Sequence, residues 1–416
     1  MSTSPLLKSD FLKVFRKGKT ERNKNKYRNF NLSFLLAIFS PLFLAGLFNI
    51  IVDPYDVFDT PNFLNVNSSK PHKDKNDRLF KALDIIRIKP VTILLGSSRT
   101  KQGLDPNHPA LVNNNNHQPA YNLGLNGLNL HEELRYLQHA IANQKKLTLV
   151  IIGIDFFSFN AYLKNQVSFD ERRLEKQYLT PKDFINVVFS LNALSASQET
   201  IIASIYDKNK DSDYGENGFM PYRNIKKNEV DWRFKSGITD FFQNHAQYNL
   251  SKEHLEDFKK IVSMCKQNNI TLKVFISPSH ATQWEAIRAT GHWQTFEQWK
   301  RELVKITPVW DFSGYNSVTT EPISYDMQDY TDNSHYTPKI GNLVLNRLLS
   351  YQDEKVPNDF GILITSDNVE SQLVKIRADR EIWATKNSDE VKLVQQVKYQ
   401  YDANYVSKKK QKNNLN

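Results

Sequence analysis

The sequence predicts an α/β fold, a three-layer sandwich with a mostly parallel sheet, preceded by one transmembrane helix. From residue 91 onward, short apolar runs rich in β-forming residues alternate with segments of helical periodicity. Parallel strands are covered by helices on both faces, so their residues are apolar without alternation. Strand, helix and strand in this order indicate parallel pairing through right-handed crossovers. A charge-free apolar stretch before the first strand predicts the membrane helix.

Charge is unevenly distributed along the 416 residues. Residues 1–30 carry a net charge of +7, and four lysines within 408–412 add +4. The whole chain has a formal net charge of +10, so the remaining residues together are close to neutral. A nearly neutral body argues against a polyanion-binding surface on the folded part, and we therefore expect no nucleic-acid partner. The single cysteine, Cys265, excludes a disulfide within the chain and leaves the redox compartment open.

Residues 31–52 contain no charged side chain. Twenty-two helical residues at about 1.5 Å each just cross a hydrocarbon core of about 30 Å. Because basic residues precede this stretch and acidic residues follow it, the positive-inside rule predicts a cytoplasmic tail (1–30), a transmembrane anchor (31–52) and an extracytoplasmic body at the cell membrane. The bilayer is thus one expected partner. A cleaved signal peptide is the alternative, but residues 49–53 offer no small-residue cleavage site.

A juxtamembrane connector, residues 53–90, leads from the bilayer to the first predicted strand, residues 91–95, which ends in Gly96, Ser97 and Ser98. Glycine lets the chain turn. A serine at this point places a hydroxyl at the carboxyl edge of the sheet, where open α/β folds bind ligands. Ser98 is therefore a candidate nucleophile. The alternative is that both serines only cap the segment that follows.

Two more strands are predicted at residues 120–123 and 146–153, and the second delivers Asp155 to the same edge of the sheet. On the helix between them, His131 and the following glutamate resemble the start of a zinc motif. The second histidine of that motif is replaced by Arg135, so we expect no metal site and no cofactor.

Residues 160–250 interrupt the strand pattern with helical and polar segments. An insertion that leaves the predicted active edge is a candidate lid or substrate platform, or else a structural decoration. The sheet resumes at 271–277, shortly before His280, and 308–312 is the last predicted strand. Residues 351–416 are predicted to form a helical C-terminal extension whose lysine-rich end is disordered.

Asp332 and His335 stand three residues apart on a loop before a helix that starts at Pro338. A serine hydroxyl is a poor nucleophile at neutral pH and needs a base, which a third group holds in the correct tautomer. A carboxylate and an imidazole at this spacing can lie side by side, and the loop can face the strand end that carries Ser98. We expect Ser98 Oγ within about 4 Å of one ring nitrogen of His335 and Asp332 at the other.

Together these pieces resemble the SGNH (GDSL-like) hydrolase superfamily over residues 91–350, which would form its catalytic domain. Three of its motifs have counterparts here: Gly96-Ser97-Ser98, then Asn122, Gly124 and Gly127, and finally Asp332 and His335. The resemblance implies Ser98 as the nucleophile and the backbone N–H groups of Ser98 and Gly127 as oxyanion donors. Gly-Ser-Ser with one N-terminal anchor looks like the membrane-tethered branch associated with acyl transfer to cell-surface polymers, including the proteins of teichoic acid D-alanylation and of polysaccharide O-acetylation.

The chain departs from the family pattern at the third motif, Gly-x-Asn-Asp, which appears as Gly153-Ile154-Asp155 without the asparagine. A carboxylate there would repel a developing oxyanion. Either Asn126 supplies the missing donor, or the hole has only the two backbone donors.

These observations predict a membrane-anchored serine esterase or O-acyltransferase that acts on a cell-envelope or exported polysaccharide. Its acyl donor would arrive at the membrane from a multispanning partner, and the acyl group would pass to a glycan hydroxyl or to water. Candidate substrate-binding residues are Arg99, Asp155 and His280, with a salt bridge inside the fold as the alternative for Arg99. The rival prediction is a non-catalytic envelope protein that keeps the fold and binds glycan or assembly partners.

Overall fold

The structure is a computed structural model that describes residues 6–114, 119–206, 214–221 and 227–413. Outside them lie residues 1–5 of the predicted tail, 207–213 and 222–226 of the predicted insertion, 414–416 at the predicted disordered end, and 115–118. The chain divides into two compact units. The first comprises Met1–Lys70 and Pro181–Tyr206, and the second comprises Pro71–Thr180 and Asp207–Asn416.

The elements are numbered in chain order. The helices are α1 (Leu6–Val52), α2 (Asp77–Ile88), α3 (Ser98–Gly103), α4 (Pro109–Asn114), α5 (Leu130–Asn143), α6 (Glu171–Leu174), α7 (Pro181–Phe189), α8 (Leu191–Tyr206), α9 (Val230–His245), α10 (Lys252–Gln267), α11 (Ala281–Ala289), α12 (Trp293–Ile306), α13 (Pro338–Leu349), α14 (Val369–Lys386) and α15 (Ser388–Asn413). The strands are β1 (Thr92–Gly96), β2 (Ala120–Asn122), β3 (Leu149–Ile154), β4 (Thr271–Ile276), β5 (Val309–Asp311) and β6 (Ile362–Ile364).

The first unit is built on α1. Its segment Lys26–Val52 is long and apolar enough to cross a membrane, and it is the one such helix among the described residues. The described part of the predicted tail is also helical and continuous with this segment. Helices α7 and α8 contact the C-terminal turns of α1, where the Asn49 side chain donates a hydrogen bond to the Val188 carbonyl at 2.8 Å.

The second unit contains a mixed sheet in the order β2-β1-β3-β4-β5-β6. Strands β1 to β5 are parallel to their neighbours, and β6 is antiparallel to β5. In a doubly wound sheet whose order begins 2-1-3, the connections after β1 and β3 leave in opposite directions, and ligands bind at the carboxyl ends of these strands. The segments that follow β1 and β3 carry Ser98 and Asp155.

Both faces of the sheet are buried. Alternate residues of β1 belong to two different hydrophobic clusters, with Ile93 and Leu95 in one and Leu94 in the other. Neighbouring strand β3 divides in the same way, since Val150 and Ile151 fall into different clusters. This confirms the prediction from the unbroken apolar runs, and it fixes β1 and β3 as the rigid base from which the site loops emerge.

The C-terminal extension contains a strand as well as helices. Residues 351–416 are not only helical, because β6 extends the sheet from within them. Helix α15 continues to Asn413 and so includes the lysine-rich stretch. Lysine and glutamine favour the helical state, and buried Val394 and Val397 hold the first half of α15 in the core.

The predicted insertion, residues 160–250, is divided between the two units. Helices α7 and α8 belong to the first unit, whereas α6 and α9 belong to the second. The connector 53–90 is divided as well, because α2 belongs to the second unit. The sequence pattern missed both divisions because helical periodicity marks an apolar face but not the element that covers it.

Candidate active site

A cavity of about 500 Å³ lies in the second unit at the carboxyl ends of β1 and β3. It is lined by Ser98, Arg99, Gly127, Phe157, Tyr162, Leu163, Gln166, Gly237, Asp240, Phe241, Asn244, His245, Gln283, Asp332, Ser334 and His335. Five of the predicted site residues therefore lie at one place although they come from distant parts of the sequence, namely Ser98, Arg99, Gly127, Asp332 and His335.

A tight turn after β1 positions Ser98. Gly96 has φ +144°, and a Cβ there would lie 2.2 Å from Thr100 Oγ1, so only glycine fits. The Ser97 hydroxyl caps α3 by accepting a hydrogen bond from the Arg99 N–H at 3.2 Å. Helix α3 starts at Ser98, so the turn directs this side chain into the cavity and turns Ser97 back into the fold.

Ser98, His335 and Asp332 form a continuous hydrogen-bonded chain. Ser98 Oγ lies 2.8 Å from His335 Nε2, within the 4 Å expected from the sequence, and His335 Nδ1 lies 2.8 Å from Asp332 Oδ2. A carboxylate only accepts hydrogen bonds, so the Nδ1 atom carries the proton and Nε2 is left to accept from the serine hydroxyl. This is the arrangement that activates a serine nucleophile.

The loop that carries His335 is held by Asp332. Its Oδ1 atom accepts hydrogen bonds from the backbone N–H groups of Ser334 at 2.6 Å and His335 at 2.9 Å. Burial acts to raise the pKa of Asp332, but the neighbouring His335 and these hydrogen bonds outweigh it and hold the pKa below its usual value. The carboxylate therefore stays ionised at neutral pH and can stabilise a protonated imidazole.

Arg99 and Asp155 form a buried ion pair next to Ser98. Arg99 Nη1 lies 2.6 Å from Asp155 Oδ1, and Arg99 Nε donates to Ser334 Oγ at 3.0 Å. The Ser97 hydroxyl donates to the second carboxylate oxygen of Asp155. Both carboxylate oxygens of Asp155 therefore have partners inside the fold. Arg99 forms the internal salt bridge that was the alternative to a substrate-binding role. Arg99 still lines the cavity, and it also ties the β1 and β3 ends to the loop of His335.

Two predicted site residues have other partners. The Asn126 side chain donates to both carboxylate oxygens of Asp74, at 3.4 and 3.2 Å, rather than serving as an oxyanion donor. His280 is fully buried, and its Nε2 donates to the Glu321 carbonyl at 2.7 Å. Burial lowers the pKa of His280 to about 4. It caps α11 by accepting from the Thr282 N–H, so its position is structural rather than substrate-facing.

Gly127 reaches the cavity through a left-handed turn with φ +57°. The Gln166 side chain donates to the Gly127 carbonyl at 2.9 Å, and the Gln166 N–H donates to buried Glu132 at 2.6 Å. Gln166, which is itself held by Glu132, thus fixes the carbonyl group of Gly127. Of the three predicted oxyanion donors, Ser98 and Gly127 line the cavity, whereas Asn126 does not.

The sequence did not single out the cavity wall formed by α9. Five of its residues line the cavity at spacings of three, one, three and one, which places them on one helix face: Gly237, Asp240, Phe241, Asn244 and His245. Burial and the charge of Arg99 lower the pKa of His245 to about 4, so this imidazole is neutral at pH 7. The mixture of polar and aromatic residues at helical spacing was the available signal, and α9 lies within the predicted insertion, residues 160–250.

Among the described residues, no group of three or more His, Cys, Asp and Glu side chains is arranged to hold a metal ion. A scan against models of known protein families gives no match, and a search of curated proteins finds no significant similarity.

Proposed function

We propose that this chain is a membrane-anchored, extracytoplasmic serine esterase or O-acyltransferase of the SGNH type, acting on a cell-envelope or exported polysaccharide. The observation that carries the proposal is the hydrogen-bonded chain from Ser98 Oγ through His335 to Asp332, with two distances of 2.8 Å. An accidental cluster of surface polar residues would not place the hydroxyl, both ring nitrogens and a pKa-lowered carboxylate in this order at the end of a central strand.

The reaction follows from this geometry. Ser98 Oγ attacks the acyl carbonyl and its proton passes to His335 Nε2, while the charge on the imidazole is stabilised by Asp332. The tetrahedral oxyanion accepts hydrogen bonds from the N–H groups of Ser98 and Gly127. Collapse expels the donor's leaving group, which takes the proton from His335, and leaves an acyl ester on Ser98. A glycan hydroxyl or water, deprotonated by His335, then removes the acyl group.

The ion pair of Arg99 and Asp155 supports this chemistry. Where the third motif has an asparagine, this chain has Asp155, and an unpaired carboxylate near the oxyanion would oppose the reaction. Arg99 neutralises that carboxylate at 2.6 Å. The two backbone donors then act without an opposing charge, although the loss of a third donor makes the reaction about 100-fold or more slower than in a site with all three.

The cavity walls support a carbohydrate acceptor. Aromatic side chains offer flat faces to sugar rings, and here Phe157, Tyr162 and Phe241 line the same space as Asn244 and Gln283, whose amides can both donate and accept. A pocket with an apolar wall and a few placed polar groups fixes the orientation of its ligand.

The membrane part of the proposal rests on Lys26–Val52 and on the basic residues before it. The positive-inside rule then leaves the N-terminus in the cytoplasm. Strand order, two-faced burial and the three motifs together favour the three-layer SGNH sandwich for the second unit. A multispanning protein that delivers the acyl donor at the membrane is part of the same proposal.

Reaction with a fluorophosphonate probe tests the proposal. The full chain, purified in detergent, should be labelled covalently, and Ser98→Ala should abolish the label. Ser97→Ala is the matched control, because the adjacent hydroxyl points to Asp155 and its loss should leave the label in place. If the folded wild-type chain does not react with the probe, the enzyme proposal fails. A non-catalytic glycan-binding protein is then the better proposal, and the absence of the asparagine from the third motif favours it.

A further inference from the structure

Helices α7 and α8 present an unusually apolar tip. They meet at Ser190, and residues 184–198 contain no charged side chain. Ile185 is 57 % exposed and Leu191, the first residue of α8, is 84 % exposed. Large apolar side chains this exposed at a helix junction indicate a surface that is covered by something other than water.

Contacts within the first unit show where this tip lies along α1. Near the start of α7, the ring of Phe184 lies 6.3 Å from that of Phe58, which follows the membrane segment. At the end of α7, Phe189 lies against Gly46, where an added Cβ would come within 2.5 Å of the Phe189 ring. Helix α7 therefore runs from beyond the end of the membrane segment back along it.

Helix α8 returns in the opposite direction. Ser197 Oγ donates to Asn49 Oδ1 at 2.8 Å, and further along α8 the Ser204 hydroxyl accepts from the Ser69 N–H at 3.0 Å. The junction of α7 and α8 is thus the part of the pair that reaches furthest along the membrane segment.

The depth of the tip follows from helix geometry. Gly46 stands six residues before Val52, the last residue of the membrane segment, and six residues span about 9 Å. Amphipathic helices that lie in the membrane interface bury their apolar face by about 5–10 Å. The tip therefore stands at the depth of the headgroup and upper acyl region, beside exposed α1 residues such as Leu44 and Leu47.

Asn49 fixes the pair at this depth. Its side chain is buried, and it donates to the Val188 carbonyl and accepts from Ser197. A polar side chain near the end of a membrane segment needs such partners because lipid supplies none. Helices α7 and α8 supply both, one partner each.

We propose that the junction of α7 and α8, residues 185–191, inserts into the lipid bilayer next to α1 and forms a second, monotopic contact with the membrane. The occupant of this apolar surface is lipid rather than another protein, because the surface lies at bilayer depth and lacks charge. The proposal rests on the membrane anchor of the proposed function and not on its chemistry.

Site-directed fluorescence in lipid vesicles tests the proposal. The only native cysteine, Cys265, is buried, and burial raises the pKa of its thiol to about 12, so the wild-type chain provides the background. The full-length variants Leu191→Cys, Tyr206→Cys and Phe43→Cys are labelled with an environment-sensitive dye and reconstituted in phosphatidylcholine with no other protein. The quencher is phosphatidylcholine that carries a nitroxide near the top of one acyl chain.

We expect loss of fluorescence for the labels at Leu191→Cys and Phe43→Cys and none at Tyr206→Cys, which is equally exposed but about 22 Å further along α8. Quenching at Phe43→Cys without quenching at Leu191→Cys overturns the inference and leaves the anchor intact. A protein covering for the tip is then the better explanation. Absence of quenching at Phe43→Cys removes the membrane anchor and the inference with it, while probe reactivity at Ser98 still tests the chemistry separately.

Discussion

Asp155 Oδ1 lies 2.6 Å from Arg99 Nη1, and both side chains are almost fully buried. The residue that breaks the third family motif is therefore one half of an ion pair, and the other half comes directly after the candidate nucleophile. Charge at this edge of the sheet is balanced inside the fold, so the aspartate does not by itself argue against an oxyanion at the neighbouring cavity.

The first prediction concerns this pair. Arg99→Met should lower the free energy of unfolding by about 3–5 kcal/mol, because it leaves a buried carboxylate without its partner. The double variant Arg99→Met with Asp155→Leu should recover most of that loss, since no uncompensated charge remains. Denaturant unfolding in detergent measures both. Equal destabilisation of the single and double variants would show that the pair does not balance charge in the way described.

The second prediction concerns Asp332. Asp332→Asn keeps the shape of the side chain but removes the charge and the acceptor that fix the His335 tautomer, so the rate of probe labelling at Ser98 should fall by about 10⁴-fold. Asp240→Asn is the matched control, because it removes a carboxylate from the same cavity on α9. A similar loss of rate in both variants would mean that the cavity charge, and not the orientation of His335, controls reactivity.

The sequence was sufficient for the parts of this structure that depend on local pattern. Unbroken apolar runs gave β1 and β3, and the turn glycine Gly96 with Ser98 gave the candidate nucleophile. The loop that faces Ser98 could be predicted from Asp332 and His335. A base and the carboxylate that orients it must be close together, and a separation of three residues on a loop allows this. The confirmed distances among these residues are consequences of strand ends that share one sheet edge.

Other features depend on contacts that no local pattern reveals. The side chain of Asn126 donates a hydrogen bond to Asp74, which precedes it by 52 residues. Strand β6 has only three residues, which are too few to show a periodic pattern. His280 follows β4 closely in sequence, as a site residue would, yet its ring donates a hydrogen bond to the carbonyl of Glu321, 41 residues later. Only Ser190 separates α7 from α8, and no glycine or proline within residues 182–205 marks the break in the sequence.

The third prediction concerns pH. Since the pKa of His280 is lowered from 6.5 to about 4 by burial, the unfolded chain binds a proton before the folded chain does as the pH falls. Stability should therefore decrease between about pH 6.5 and 4, and at pH 5 this one group should cost about 2 kcal/mol. Asp332, with its lowered pKa, contributes stability that is lost only below about pH 4, outside this window.

Unfolding free energies at pH 7 and pH 5 measure this effect. His280→Gln should show a smaller difference between the two pH values than the wild-type chain, even if it is less stable at both. Asn342→Ala, which replaces an exposed residue without a titratable side chain, should keep the wild-type difference. An unchanged difference in His280→Gln would assign the pH dependence to other groups, of which His245 is the first to examine.

The last prediction concerns Gly341, which sets the distance between the two halves of the candidate active site. Helix α3 starts at Ser98 and ends at Gly103, and α13 starts just after His335. A Cβ on Gly341 would lie 1.7 Å from the Gly103 carbonyl oxygen, so Gly341→Ala must move the two helices apart by more than 1 Å. Because such a shift at reacting groups can cost about 100-fold, we expect a loss of this size in probe labelling at Ser98.

Overpacking should also lower the free energy of unfolding of Gly341→Ala by about 1–3 kcal/mol. The labelling rates are therefore compared at a temperature at which circular dichroism shows that this variant is folded. Asn342→Ala is the control, because this neighbour is exposed and the change also adds helix propensity to α13. Its labelling rate should match the wild type. A folded Gly341→Ala that reacts at the wild-type rate would mean that the 2.8 Å contact between Ser98 and His335 does not depend on how closely α3 and α13 approach each other.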